Sequence, residues 1–276
     1  MTPKVSVILC TYNAEKYIED TLQSIVDQSY TAIEILILDN NSSDHTLDIL
    51  QKLVSIQEKS DKRVQVFPSK KNLWPYWGLN FLLEKATGEY IAIQDHDDLW
   101  HPDKLRKQVS FLDENTKYVG CGSSMIYYYE KGKYYHYNYS KEIDYFTFHT
   151  TLLFRNKNIK YNTNITFETD LYFMKKILCK DKKRIYNFKN VYGLHLMRGD
   201  LNNLGNKWIR DHSISEIIKN ALNYKRISLS YISSIFLQKI TPKLYFKLAY
   251  FKNYKKIKKK EELLKNDFTK YYYKLI

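Results

Sequence analysis

Four short apolar segments constrain the fold of this chain more than any other feature of its sequence. Two of them, Val5 to Cys10 and Glu34 to Asp39, are nearly continuous runs of Val, Ile and Leu, and Val64 to Phe67 and Ile91 to Ile93 are shorter. Runs of this kind are typical of strands that are buried on both faces of a sheet. The sequence therefore predicts a parallel sheet covered on both sides.

The segments between these strands carry apolar residues at helical spacing. The helical faces are formed by Ile18, Leu22, Ile25 and Val26, by Leu47, Leu50, Leu53 and Val54, and by the stretch from Gly78 to Ala86. The resulting order β-α-β-α-β-α-β predicts a doubly wound α/β fold with right-handed crossovers. At 276 residues the chain has room for one large domain and an appendage.

Composition and absent signatures argue against several classes of protein. No G-x-G-x-x-G follows the first strand and no G-x-x-x-x-G-K-[ST] occurs, so neither a dinucleotide-binding enzyme nor a P-loop NTPase is indicated. The cysteines, Cys10, Cys121 and Cys179, are isolated, which predicts reduced thiols in a cytosolic protein. We find no signal peptide and no apolar run of about 18 residues, so no membrane span is expected.

Polar residues follow three of the predicted strands, at Thr11 to Asn13, at Asp39 to Asn41 and at Asp95 to Asp98. In open α/β sheets, ligands bind beyond the carboxyl ends of the strands. The last cluster holds three carboxylates between a strand and a helix predicted from Pro102 to Glu114. A hard divalent cation is the usual relief for crowded carboxylates, and an Asp-rich turn that caps a helix is the simpler alternative.

Taken in order, these motifs resemble those of the family 2 glycosyltransferases. The matching segments are Val5 to Asn13, Asp39 to Asp44, Gly88 to Ile91, and Asp95 to Asp98 with Pro102. The resemblance implies the GT-A fold, which is a Rossmann-like, doubly wound and mostly parallel sheet. It also implies a nucleotide-sugar donor and inversion at the anomeric centre of the transferred sugar.

The resemblance is dense over residues 4–112, weaker to about residue 200 and absent beyond. It implies a catalytic domain over residues 1–205, in which residues 1–112 form the nucleotide-binding half and residues 113–205 the acceptor-binding half.

The resemblance assigns a nucleotide-binding role to residues at three strand ends. They are Thr11, Tyr12, Asn13, Asp39, Asn40, Asp95 and His96. Tyr12 supplies a stacking face for the base. Many relatives have a second acid where this chain has Asn40, and that acid accepts the uracil N3–H; the Asn40 amide oxygen could accept it from uracil or thymine alike. A UDP-sugar or a dTDP-sugar is therefore the expected donor.

The same resemblance implies a metal cofactor, Mn²⁺ or Mg²⁺, on the Asp-x-Asp motif. Asp97 is expected to bind the cation, Asp95 to contact the ribose or a metal-bound water, and Asp98 to order the loop. His195 is a further, weaker candidate ligand, because Tyr192 to His195 only partly matches a family motif. The cation would offset the charge that develops on the leaving diphosphate.

The acceptor side is expected in the second half of the chain. By resemblance, Asp170, followed six residues later by Lys176, is the general base, with Glu168 in reserve, and His149 and Thr150 lie near the acceptor. A first-turn helix acid is the alternative for Asp170. The strands predicted between residues 119 and 139 are rich in Tyr, which favours packing within the sheet over contacts with sugar rings.

The positive charge of the chain is concentrated at its C-terminal end. Residues 208–276 contain 16 Lys+Arg and 5 Asp+Glu, a net charge of +11 out of +14 for the whole chain. Residues 206–276 are therefore predicted to form a basic helical tail that binds an anionic membrane surface. A solvated charged helix or a segment that binds a protein partner are the alternatives. No nucleic-acid partner is expected, because no RNA- or DNA-binding module accompanies the charge.

Together these features predict a metal-dependent, inverting glycosyltransferase of hexosyltransferase type. It is expected in the cytoplasm, at the inner face of a bacterial cell membrane, acting on a glycan or lipid-linked glycan acceptor in surface polysaccharide biosynthesis. Two alternatives remain open: transfer of a polyol phosphate on a related fold, and a non-enzymatic basic protein that binds membranes or nucleic acid.

Overall fold

The computed structural model describes residues 4–57, 63–129, 134–165, 168–197 and 213–223, with single positions or pairs at 209, 211, 236–237, 239–240 and 258–259. Its first half alternates strands and helices as predicted. The elements are β1 Val5–Thr11, α1 Ile18–Val26, β2 Ile33–Asp39, α2 Thr46–Gln57, β3 Arg63–Pro68, α3 Pro75–Lys85 and β4 Tyr90–Gln94. These strands are parallel and lie in the order β4-β1-β2-β3.

The second half extends the same sheet. Its elements are β5 Leu99–Trp100, α4 Lys104–Glu114, β6 Gly120–Tyr129, β7 Tyr134–Asn138, β8 Ile143–Asp144, a 3₁₀ turn His149–Thr151, β9 Leu153–Arg155, α5 Thr169–Tyr172, a π-helical turn Phe173–Leu178, β10 Ile185–Met197, α6 Ile214–Asn223 and β11 Lys258–Lys259. β9 is antiparallel to β4, β6 is antiparallel to β9, and β10 runs parallel to β6. The prediction of a mostly parallel α/β sheet for the nucleotide-binding half is confirmed.

Alternate side chains of the central strands enter two different cores. Val7 and Leu9 of β1 pack with α1, α2 and α4, whereas Ile8 packs with α3 and with the π-helical turn. This alternation follows from the two-residue period of a strand. It explains why the central strands are apolar throughout, and it leaves the strand ends as the place where polar side chains collect.

Several boundaries differ from those predicted. α4 begins at Lys104, two residues after Pro102, and α3 begins at Pro75, three residues before Gly78. The prediction of helix at Lys258 and Lys259 is wrong, because these residues pair with Tyr135 and Tyr134 of β7. Most of the predicted tail, residues 206–276, lies outside the described residues. In its described part, α6 is helical.

Within the described part of the chain, no helix is both long enough and apolar enough to span a bilayer. Cys10, Cys121 and Cys179 are free cysteines, of which Cys121 and Cys179 are buried.

Candidate active site

The ends of β1 and β2 form a small polar pocket. Thr11 and Asp39 are partners in the parallel register, and both are buried. Among the described residues, nothing forms a hydrogen bond with Thr11 Oγ1 or Asp39 Oδ1. Tyr12, the next residue of the chain, is 44% exposed. Buried polar atoms normally have partners, so this pocket offers two binding positions beside an aromatic face.

Asn13 joins the loops that follow these two strands. Its backbone N–H donates to Ser42 Oγ at 3.0 Å, and its side-chain oxygen accepts the Ser43 N–H at 2.8 Å. Asn13 itself has a left-handed backbone, with φ of 48°. Asparagine tolerates this conformation better than most residues. The two hydrogen bonds of Asn13 therefore hold the loop after β1 against the loop after β2.

Asn40 is buried and holds the segment that leads into α3. Its side-chain oxygen accepts the Leu73 N–H at 2.7 Å, and its Nδ2 donates to Asn72 Oδ1 at 3.1 Å. The sequence predicted that the Asn40 amide oxygen would accept a hydrogen bond from the base. In the structure this oxygen accepts the Leu73 N–H instead. Asp39, one residue earlier, is the side chain with an unpartnered buried oxygen.

The acid loop, residues 95–98, follows β4 and rests on buried hydrogen bonds. Gln94 Nε2 donates to the Asp98 carbonyl oxygen at 2.5 Å, and Gln94 Oε1 accepts from Thr150 Oγ1 at 2.7 Å. The Trp100 indole N–H donates to the Thr150 carbonyl oxygen at 2.8 Å. Thr150 therefore contacts the residues on both sides of the acid loop, Gln94 and Trp100, and helps to hold the loop in place.

The carboxylate of Asp95 lies beside His149. Its side chain is 44% exposed, and Asp95 Oδ1 lies 3.7 Å from His149 Nδ1. Burial works against its charge, but the nearby His149, His195 and His96 hold the pKa of Asp95 below its usual value. This carboxylate is therefore ionised at neutral pH.

Cys10 directly precedes Thr11 and is close to both the pocket at Thr11 and Asp39 and the acid loop. Burial, with smaller contributions from the charges of Asp39 and Asp95, raises the pKa of the Cys10 thiol to about 12. Both carboxylates are therefore close enough to act on the same thiol.

Asp98, which is fully buried, forms a pair with His195, whose side chain is 35% exposed. Asp98 Oδ1 lies 2.7 Å from His195 Nδ1 and accepts the Leu196 N–H at 3.3 Å. Burial opposes the charge on His195, yet the Asp98 carboxylate raises the pKa of His195 to about 9. Burial also raises the pKa of Asp98 to about 6, although the imidazolium beside it stabilises its charged form. The pair is ionic at neutral pH and ties β10 to the acid loop.

His149 lies beside the acid loop. Its Nδ1 is 3.7 Å from Asp95 Oδ1, and its Nε2 is 2.8 Å from the Tyr161 hydroxyl. Burial opposes its charge, but the carboxylates of Asp95 and Asp170 raise the pKa of His149 above its ordinary value. Asp95 and Asp170 are therefore both close enough to act on this imidazole.

Asp170 and Glu168 occupy different backbone settings. Asp170 is half-buried in the first turn of α5, and Glu168 precedes the helix with a left-handed φ of 50°. Lys176 forms its ion pair with Asp181, at 2.9 Å.

The described residues contain no group of three or more His, Cys, Asp or Glu side chains placed to hold a metal ion. Mg²⁺ in phosphate sites is commonly bound by one or two carboxylates, with the remaining positions filled by phosphate oxygens and water. The ionised, exposed carboxylate of Asp95 and the half-buried Asp97 fit such a donor set. The Nδ1 of His195 faces Asp98, so only its Nε2 is left to reach a cation.

Sequence reasoning missed three side chains that shape this site. Tyr161 orients His149, Gln94 holds the acid loop, and Asn72 accepts the hydrogen bond of Asn40. Gln94 directly precedes Asp95, which could have pointed to it. Tyr161 and Asn72 reach the site only through tertiary contacts.

Comparison with known proteins agrees with this geometry. The family model "Glycosyl transferase family 2" matches residues 6–177. This chain belongs to glycosyl transferase family 2. It is 45% identical over 114 residues to TuaG of Bacillus subtilis, which is named as a teichuronic acid biosynthesis glycosyltransferase. That match covers 41% of this chain and 44% of TuaG, so the chain spans less than half the length of that relative.

Solved structures show the GT-A fold. The structure of Staphylococcus aureus TarS residues 1–349 with UDP-GlcNAc superposes with a TM-score of 0.63 at 21% identity, covering 86% of this chain and 71% of that one. The mannosyltransferase PcManGT of Pyrobaculum calidifontis, solved with GDP-Man and Mn²⁺, gives a TM-score of 0.61 at 17% identity, covering 83% and 66%. The predicted family and fold are therefore confirmed.

Proposed function

We propose that this chain is an inverting glycosyltransferase that moves a sugar from a nucleoside-diphosphate donor to a glycan acceptor. The observation that carries the proposal is the set of polar side chains at the strand ends. It comprises two unpartnered buried polar atoms, at Thr11 and Asp39, and the carboxylates of the acid loop, with Asp170 close enough to act on His149. A nucleotide sugar offers a base to the first group and a diphosphate, bound together with a cation, to the second.

In this proposal Asp39 Oδ1 accepts the imide N3–H of the base, and Thr11 Oγ1 bonds a neighbouring carbonyl oxygen. Both atoms are buried and lack described partners, so a base would satisfy two groups that otherwise lose hydrogen bonds. Tyr12 offers an exposed ring to the face of the base. Uracil and thymine both present this imide edge, so a UDP- or dTDP-sugar fits.

Asp97 and Asp95 would hold Mn²⁺ or Mg²⁺ together with the diphosphate. The cation supplies Lewis-acid stabilisation of the leaving nucleoside diphosphate. The low pKa of Asp95 keeps its carboxylate charged and able to bind a cation at neutral pH. Gln94 and Thr150 keep the loop that carries both acids in one arrangement. Mn²⁺ in the PcManGT structure supports the same use of a divalent cation in this fold.

Asp170 is the proposed general base. Direct displacement with inversion needs a base on the acceptor side that takes the proton of the attacking hydroxyl. Asp170 is in the first turn of α5, and its carboxylate acts on His149, the imidazole beside Asp95, which supports a position near the proposed donor site. Glu168 remains the alternative base.

The proposed acceptor is a glycan or a lipid-linked glycan of a bacterial surface polymer. The relation to TuaG supports the polymer class, and the +11 net charge of residues 208–276 supports a place at an anionic membrane surface. The enzyme would then work in the cytoplasm, peripherally bound to the inner face of the membrane. No observation on the described residues favours polyol-phosphate transfer.

A thermal-shift screen tests the proposal most directly. UDP, dTDP, GDP, CDP and ADP, and the corresponding sugars, are each added with and without Mn²⁺. We expect a uridine or thymidine diphosphate to raise the melting temperature, and Mn²⁺ to increase that rise. If no nucleoside diphosphate binds with or without Mn²⁺, the proposal is wrong.

A further inference from the structure

Trp74 has a backbone conformation that belongs to glycine. Its φ is 63° and its ψ is 153°, and it directly precedes Pro75, the first residue of α3. Residues with a Cβ rarely adopt this region, and a following proline favours negative φ. Such strain persists only where the surrounding structure fixes it, and it concentrates at functional sites.

Three hydrogen bonds hold Trp74 in place. Its N–H donates to Asn72 Oδ1 at 2.9 Å, and that same oxygen accepts from Asn40 Nδ2 at 3.1 Å. Asn40 Oδ1 accepts the N–H of the intervening Leu73 at 2.7 Å. The turn that contains Trp74 is therefore clamped to the residue after Asp39.

α3 also begins in close contact with the ends of β1 and β2. A Cβ added to Gly78 would lie 2.5 Å from Cys10 Sγ and 2.7 Å from Leu38 Cδ2, so a larger residue would require both side chains to shift. Cys10 and Leu38 immediately precede Thr11 and Asp39. The first turn of α3 therefore packs against the residues next to the pocket, and Trp74 directly precedes this turn.

A comparison within α3 separates function from packing. Trp74 is 58% exposed and Trp77 is 57% exposed, but Trp77 lies on regular helical backbone. More than half of the Trp74 side chain remains in solvent, so burial of the indole offsets little of the free-energy cost of its backbone conformation. A bound molecule that covers the indole would bury more of it and offset more of this cost.

We propose that Trp74 forms the outer wall of the nucleotide pocket and packs against the base and ribose of the bound donor. The inference rests on the proposed function. The pocket already has polar atoms for the edge of a base at Thr11 and Asp39, and an aromatic ring packs on a base whatever its identity. Asn40 is then a positioning residue, which acts on the nucleotide through Trp74.

The test compares Trp74→Gly and Trp74→Phe with Trp77→Ala, the matched control, by calorimetric titration. The probes are the best-binding nucleoside diphosphate from the screen, with Mn²⁺, and its monophosphate. For Trp74→Gly we expect both affinities to fall at least about ten-fold. We expect no fall in melting temperature, because glycine suits this backbone. Trp74→Phe should retain most of the affinity, and Trp77→Ala all of it.

Asn40→Asp tests the clamp. It keeps an acceptor for the Leu73 N–H but removes the donor to Asn72, so affinity for the nucleotide should fall. Tighter binding by Asn40→Asp would show that residue 40 reads the base directly and would overturn its positioning role.

The inference is overturned if Trp74→Gly binds the diphosphate within two-fold of the wild-type protein. It is also overturned if binding of the diphosphate weakens while binding of the monophosphate is unaffected, since the indole would then act on the second phosphate and not on the base and ribose. Failure of the wild-type chain to bind any nucleoside diphosphate would refute the proposed function itself, which is a different result.

Discussion

The acid loop and the helix that carries Asp170 position their carboxylates in different ways. The acid loop follows β4, whose residues are buried and which pairs with β1 on one side and β9 on the other. α5 is four residues long, follows the left-handed Glu168 and continues as a π-helical turn. The acids of the acid loop are therefore positioned by a regularly paired strand, and Asp170 is positioned by an irregular helix.

The irregular helix depends on side-chain packing for its position. Phe173 is buried and stacks on Tyr161 with ring centroids 4.1 Å apart, and Tyr161 contacts His149. Asp170 is thus located by an aromatic core, whereas the acid loop is located by hydrogen bonds from Gln94 and Thr150. The comparison predicts that the two regions respond differently to substitution.

A large loss of turnover is expected from Asp97→Ala, on the acid-loop side. Without this carboxylate the cation has lost a ligand, and Mn²⁺-dependent turnover should fall by at least about 10²–10³-fold, the range for loss of one transition-state contact. Initial rates against Mn²⁺ concentration, with melting temperature, measure it. Asp103→Ala, an acid paired with Arg106 at 2.8 Å, is the control. Near wild-type turnover would remove Asp97 from the metal site.

Asp170→Asn tests the other side of the comparison. The amide keeps the shape of the side chain but cannot take a proton, so kcat should fall about 10²–10⁴-fold. Nucleotide affinity should not change, because the proposed base acts on the acceptor and not on the donor. Asp181→Asn, an exposed acid beyond the same helix, is the control. Full activity of Asp170→Asn together with an inactive Glu168→Gln would move the base to Glu168.

Gln94→Met should show how far the acid loop depends on its buried support. The change removes hydrogen bonds to the Asp98 carbonyl oxygen and to Thr150, leaving buried groups unpaired at a cost of about 1–3 kcal/mol each. Mn²⁺ activation should weaken about ten- to a hundred-fold. Gln108→Met, which removes a buried bond to the Thr151 carbonyl oxygen, should destabilise the protein without this change. Equal Mn²⁺ dependence in both variants would contradict the idea.

Lys104→Met tests whether the buried amine of Lys104, next to the acid loop, makes the stability of the protein depend on pH. Lys104 is buried above the Trp100 ring at 3.8 Å, and burial lowers its pKa to about 7 from 10.5. Between these two pH values the unfolded chain binds a proton that the native protein does not. Wild-type stability should therefore rise with pH across that window.

The Lys104→Met variant has no amine that must lose its proton on folding. Its free energy of unfolding, relative to the wild-type protein, should therefore increase more at pH 6 than at pH 9. The ring of Trp100 reduces the gain by about 2 kcal/mol, because it favours the charged form of Lys104. Urea unfolding at the two pH values measures it. A gain that is independent of pH would show that the Lys104 pKa is not lowered.

The smallest effect concerns the basic tail, where each Lys near an anionic surface contributes roughly 1 kcal/mol. Because Lys258 and Lys259 pair with β7, we would replace other lysines with Gln instead of deleting the tail. These lysines are Lys243, Lys247, Lys252, Lys255, Lys256 and Lys260. Flotation with anionic vesicles should decrease and turnover on a soluble acceptor should persist. The same number of changes among exposed lysines of residues 4–197 is the control, and binding that is equal on neutral vesicles would contradict an electrostatic anchor.

The sequence by itself determined the four strands of the first half, their order of appearance and the polar residues that follow three of them. Val5 to Cys10 and Glu34 to Asp39 could be identified because apolar runs and helical periods are local patterns, and parallel strands place their carboxyl ends at one edge. The residues 11–13, 39–40 and 95–98 therefore fall where the sequence predicted. The family resemblance adds Asp170, whose catalytic role stays a prediction.

Only the tertiary structure decided which of these side chains are already engaged and which have a free atom. Asn40 is held by Leu73 and Asn72, and Asp98 is held by His195, which is 97 residues distant in the chain. The left-handed backbone of Trp74 likewise has no local signal, since nothing in a Trp-Pro pair favours positive φ. Hydrogen bonds across such distances depend on how strands and loops pack, and a pattern of neighbouring residues does not encode them.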